Sequence, residues 1–154
     1  MPRTERSLKV EAVILRHTDY GEADRLLTIF TREHGKLRAI AKGVRKMQSR
    51  KAGHLEPFTR STLMLAHGHD LWIVTQAEAI DVFQPLREDL GKLGYAGYAV
   101  ELLDRFTYEE GQNWQLYQLL IETLDRLAKE DDPFVAVHYY EMRQIGRASC
   151  RERV

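Results

Sequence analysis

Residues 32–51 read REHGKLRAIAKGVRKMQSRK and set eight bases, Arg32, Lys36, Arg38, Lys42, Arg45, Lys46, Arg50 and Lys51, against one acid, Glu33. Eight positive charges less one negative leave +7, in a chain whose net charge is zero. This is chemistry for a polyanion. Lysine and arginine neutralise phosphates and release condensed counterions, and a strip of this length reaches roughly four to six phosphates. A single strand also needs flat faces on which bases stack. Among Tyr20, Phe30, Phe58 and Trp72, both Phe30 and Trp72 stand among aliphatic residues at strand spacing and read as core, which leaves Tyr20, beside Gly21, as the best stacking face.

Two other constellations carry less. His67 and His69 flank Gly68 with Asp70 next; two imidazoles on a hairpin turn without a third ligand make a weak, open metal site, and no metal is expected. Glu22 and Asp24 follow His17 on a turn that offers no nucleophile and no phosphate cradle. The chain has no G-x-x-x-x-G-K-S/T, G-x-S-x-G or H-E-x-x-H. It reads as a protein that is not an enzyme and needs no cofactor.

The elements that must position these residues follow from periodicity. Leu8–Leu15 (LKVEAVIL) and Asp24–Arg32 (DRLLTIFTR) read as strands joined by the turn HTDYGEAD, and Gly35, free to take positive φ, turns the chain into a short third strand, Leu37–Ala41. Alternation there puts Leu37, Ala39 and Ala41 on one face and Lys36, Arg38 and Ile40 on the other, a cationic strand face. Apolar periodicity then lapses from Lys42 to Pro57, which predicts a basic, mobile loop or irregular helix. Phe58–Ala66 and Leu71–Ala79 read as two more strands joined by the His67–Asp70 hairpin. After Asp81 the period changes to three and four. Leu86, Leu90, Leu93, Ala96, Val100 and Leu103 predict one amphipathic helix, in which Gly91, Gly94 and Gly97 would permit close packing. Asn113 is positioned to cap a second helix carrying Trp114, Tyr117, Leu120, Ile121, Leu124 and Leu127, and Asp132–Pro133 opens a third. The expected fold class is therefore α+β: an amino-terminal five-stranded OB-fold barrel, residues 1–81, followed by an all-α domain, 82–144.

Composition agrees. The chain has 154 residues, 44% of them hydrophobic and 30% charged, as in a water-soluble domain. It has no apolar run long enough for a membrane span and no signal-peptide core at its start, so a cytoplasmic location is expected. Cys150 is the only cysteine, which excludes an internal disulfide and a thiol zinc cluster. From Gln76 to Asp132, thirteen acids face five bases, a net −8. A basic half followed by an acidic half implies different partners for the two.

Residues 11–46, EAVILRHTDYGEADRLLTIFTREHGKLRAIAKGVRK, resemble the amino terminus of the RecO family of bacterial DNA repair proteins, in the run Y-G-E-x-D-R-L-L-T-x-F-T-x-E-x-G-K and the A-K-G-x-R-K after it. Ser49-Arg50-Lys51, Leu55-Glu56-Pro57-Phe58 and Ala77-Glu78 extend the resemblance, which covers about residues 8 to 144. It implies a recombination mediator that binds single- and double-stranded DNA, anneals complementary strands without nucleotide hydrolysis, and works with RecR and the single-stranded DNA-binding protein to load RecA. Many members carry a cysteine zinc site beyond the region this chain reaches. The residues alone leave two alternatives open, an adaptor whose basic loop meets an acidic peptide and an RNA-binding module. The last ten residues, IGRASCRERV, break the third helix's pattern. They resemble a translated sequencing adapter, so 145–154 is expected to be a non-native tail. This tail and the family resemblance together lead to the expectation that the all-α domain, 82–144, is incomplete.

Overall fold

The computed structural model describes residues 7–46, 51–107, 113–129 and 141. They form two compact units that part between Val82 and Phe83.

The first unit has five strands, β1 (Ser7–Tyr20), β2 (Asp24–Thr31), β3 (Gly35–Ala41), β4 (Arg60–His67) and β5 (Trp72–Asp81). They close into a barrel in the order β1-β2-β3-β5-β4, the arrangement of an OB-fold. Alternation decides what fills it. Val10, Ala12 and Ile14 of β1, Leu27 and Ile29 of β2, Leu37, Ala39 and Ala41 of β3, Leu63 and Leu65 of β4 and Val74 of β5 share one core. Closure depends on the single parallel pairing, β3 with β5, where Ala39 meets Trp72 and Ile40 meets Ile73.

Three features differ from the sequence pattern. The predicted turn at residues 17–24 is shorter, because β1 continues to Tyr20 after a register shift between Ile14 and Arg16. A bulge at Leu15 resets the alternation, and the polar residues 17–20 are carried into the sheet by their pairing with β2. Phe58, predicted to open a strand, takes a left-handed φ of 66° instead. Its N–H donates to Ile14 O at 2.8 Å, and β4 begins at Arg60. The segment predicted to be mobile is anchored wherever it is described: Val44 and Leu55 are buried in the barrel core, and Ala52–His54 forms one turn of 3-10 helix. The predicted β2–β3 turn stands, with Gly35 at φ 73° and the Thr31 hydroxyl donating to Gly35 O at 2.8 Å.

The second unit contains α1 (Gln84–Arg87), α2 (Leu90–Phe106) and α3 (Trp114–Lys129). The single helix predicted from Leu86 is broken at Asp89, which is extended (φ −133°) and caps α2 by accepting from the N–H groups of Gly91 (2.9 Å) and Lys92 (3.2 Å). Leu90 therefore stands at the first helical position, 87% exposed, and not in the core. Ala96, Ala99, Val100 and Leu103 of α2, and Tyr117, Leu120, Leu124 and Leu127 of α3, are buried at the spacing of an amphipathic helix. Lys92 Nζ donates to Ala128 O at 3.3 Å, a cation at the carbonyl-rich end of α3. No helix among the described residues is long and apolar enough to cross a membrane. The helix predicted from Asp132 (Glu141 apart) and the stretch 145–154 lie outside the described residues.

The glycines also separate into two kinds. Gly91 and Gly94 are exposed, and a Cβ built on Gly94 meets nothing within 4 Å, so close packing does not explain it. A Cβ on Gly68 would lie 2.2 Å from Leu71 O in the β4–β5 hairpin. Gly94→Ala should therefore stabilise the protein by about 0.5–1 kcal/mol through helix propensity. Gly68→Ala should destabilise it by roughly 1–3 kcal/mol, because backbone must move. Opposite shifts in a denaturant midpoint check the pair.

Candidate nucleic-acid interface

A groove of about 860 Å³ opens on the outside of the barrel, lined by Lys9, Lys42, Gly43, Lys46, Lys51, His54, Thr62, Met64, Thr75, Gln76, Ala77 and Glu78. Strand pairing builds its floor. Lys9 of β1 lies beside Met64 of β4, which lies beside Gln76 of β5, and the next outward row runs Glu11, Thr62, Glu78. A register shift between Met64 and Leu65 leaves Thr75 and Gln76 exposed in succession, with the Thr75 hydroxyl donating to Met64 O at 3.1 Å. Bulges of this kind re-aim side chains beside functional sites.

The β3–β4 connection supplies the other wall, and it is held in place by buried apolar side chains and by hydrogen bonds. Gly43, at φ 68°, donates its N–H to Asp24 Oδ1 at 2.7 Å, and Arg45 N–H reaches Ala23 O at 2.9 Å. The Arg45 guanidinium donates to Gly21 O at 3.2 Å and to Glu22 O, and pairs with Asp19 at 3.0 Å. Asp19 also faces Arg25, which faces Glu56, in ion pairs of 3.6 Å, and Glu56 Oε2 lies 3.4 Å from His17 Nε2. Exposed pairs contribute little to stability singly. Together they fix where the loop's lysines stand.

The charge balance of the groove is one-sided. Glu78 is the only acid lining it among the described residues, and Glu11, in the same row, is taken up by Arg60 at 2.9 and 3.0 Å. Lys9, Lys42 and Lys46 are exposed and have no ion pair among the described residues, whereas Lys51 Nζ donates to Val74 O at 3.4 Å. His54 accepts from Ala79 N–H through Nδ1 at 2.9 Å. Its neutral ring therefore carries the proton on Nε2, a donor left over for a ligand.

The structure thus divides the basic strip. Lys42, Lys46 and Lys51 line the groove; Arg32, Lys36 and Arg38 do not, although Arg38 is exposed on the outward face of β3 as alternation predicts. Arg45 is occupied in the staple, so its side chain is a fixture of the fold and not a free cation. Arg50 lies outside the described residues. Tyr20, at the end of β1, is 50% exposed but does not line the groove; Phe30 is 1% exposed, and Trp72 packs on the barrel core with its ring edge-on to His67 at 4.9 Å. His17, Glu22 and Asp24 are not gathered into an acid–base set, since Asp24 holds Gly43 and His17 faces Glu56. Among the described residues there is no cluster of three metal-ligating side chains, and His67 Nδ1 donates to Gly68 O. The sequence pattern missed Lys9, His54 and the polar floor. Alternation marks Lys9 as outward-facing, but only the pairing of β1 with β4 brings it opposite a loop remote in the chain, beginning at Lys42.

Residues 6–83 match the family model described as Recombination protein O N terminal, and residues 87–148 match Recombination protein O C terminal. The chain belongs to the recombination protein O family. It is 49% identical over 150 residues to the DNA repair protein RecO of Roseiflexus sp. (strain RS-1), which covers 97% of this chain and 53% of that protein. The RecO of Pelotomaculum thermopropionicum is 44% identical over 128 residues, 83% of this chain and 50% of its own. That of Bacillus subtilis (strain 168) is 36% identical over 138 residues, 90% and 54%. The chain spans about half the length of the curated relatives it matches.

The staple makes a structural prediction independent of any ligand. Asp24→Ala and Arg45→Ala should each speed hydrogen exchange at the Gly43 and Arg45 amides by at least about tenfold while the β1–β4 amides keep their protection. Uniform change across the barrel, or none at residues 43 and 45, would show that the loop is held by Val44 and Leu55 alone.

Proposed function

We propose that this chain is the DNA-contacting part of a recombination mediator of the RecO type. What carries the reading is the lysine groove on an OB barrel in a member of this family. Lys9, Lys42, Lys46 and Lys51 take up phosphates of single- or double-stranded DNA, and counterion release supplies most of the affinity. Screening phosphate charge lets two complementary strands approach and anneal. That step needs no nucleotide hydrolysis and no catalytic side chain. The acid-rich segment 76–132 favours protein partners over DNA, in keeping with joint action with RecR and the single-stranded DNA-binding protein in loading RecA, in the bacterial cytoplasm at the nucleoid. An acidic peptide on the same lysines is the competing use of the groove, and RNA is the competing strand.

Titrating labelled single-stranded DNA and RNA at several salt concentrations tests this. Lys9→Glu, Lys42→Glu and Lys46→Glu together should flatten the slope of log affinity against log salt by about 2, since each single-strand phosphate contact contributes about 0.7. An unchanged slope would remove the groove from the reading. Asp24→Ala gives a test of opposite sign: losing an acid beside a cationic site should by charge alone strengthen binding, but loosening the loop should weaken it several-fold. Tighter binding by Asp24→Ala would mean that the staple does not position the lysines.

A further inference from the structure

If the groove holds a nucleic-acid strand, as proposed above, its lining also bears on which part of the strand it holds. The cations enter from two sides, Lys9 from β1 and Lys42, Lys46 and Lys51 from the β3–β4 connection. Between them lie Thr62, Met64, Thr75, Gln76 and Glu78, side chains without a flat apolar face. Among the described residues the lining includes no Phe, Tyr or Trp.

None of Tyr20, Phe30, Phe58 and Trp72, the aromatic residues of the barrel unit, lines the groove. Phe30 is buried, Trp72 packs on the core and against His67, and Tyr20 stands at the opposite end of β1 from Lys9. The one ring among the described residues that does line the groove, His54, is anchored to Ala79 N–H and offers Nε2–H, a donor suited to a phosphate oxygen. Strand-binding sites that hold bases do so by stacking them on aromatic faces. This groove has cations and hydrogen-bond donors where such a site would have rings.

We infer that the groove grips the sugar–phosphate backbone alone and leaves the bases turned outward, so that a strand lacking bases binds as well as a complete one. Its ligand class is a flexible phosphodiester chain, with no demand on the base. A strand held this way presents its pairing edges to a second strand without first being released.

The experiment uses the full chain and two labelled oligomers of equal length, oligothymidylate and the same backbone carrying tetrahydrofuran abasic residues throughout. Affinities within fivefold, with equal salt slopes and the same proportional loss in the Lys9→Glu, Lys42→Glu, Lys46→Glu variant, are expected. An abasic strand weaker by more than fivefold, the effect of even one stacked base, would overturn the inference while leaving strand binding intact. So would a lysine variant that loses affinity for one oligomer only. Absence of binding to either oligomer would sink the strand-binding reading itself, and with it this one.

Discussion

Like charges brought together repel, and a groove walled by four lysines exists only if other interactions hold those lysines in place. Here the restraint is apolar burial backed by hydrogen bonds. Val44 and Leu55 bracket the basic segment and are both buried in the barrel core, at 2% and 1% exposure, a burial that stabilises each by about 1.5–3 kcal/mol relative to exposure. Gly43 is tied to Asp24 and Arg45 to the β1–β2 turn. Without these anchors Lys42 and Lys46 would lose their fixed places beside the groove, and the site would be a charge run.

Arginine and lysine divide the work according to their chemistry. The planar guanidinium of Arg45 presents several donors at fixed angles, and it satisfies two carbonyls and a carboxylate at once. Arg60 does the same for Glu11. The groove is left to lysines, hydrated point charges on flexible stems, which suit a ligand whose phosphates are regularly spaced but whose bases vary. Among the described residues the groove lining has no aromatic face, in keeping with the proposed grip on the backbone.

Much of the fold was legible. Five strands were placed from composition and period, alternation in β3 named its inward residues, Gly35 was identified as a positive-φ turn, and the period change after Asp81 marked the helical unit. What escaped was set by partners remote in sequence. The polar end of β1 is a strand because β2 pairs with it, Leu90 is exposed because Asp89 caps the helix there, and Phe58 is left-handed because the chain must turn against Ile14 before β4 begins.

The site divides along the same line. By itself the sequence determined that residues 32–51 are basic, that Arg38 faces outward and that the family motif is present, since these depend on residue type and on a period of two. Only tertiary structure decided which cations act together. Barrel closure puts Lys9 opposite Lys42 and Lys46, and the β1–β2 turn draws Arg45 out of the cationic set. The reason is physical: charge is a property of a residue, but a field with a direction belongs to an arrangement, and that arrangement is set by pairings between strands far apart in the chain.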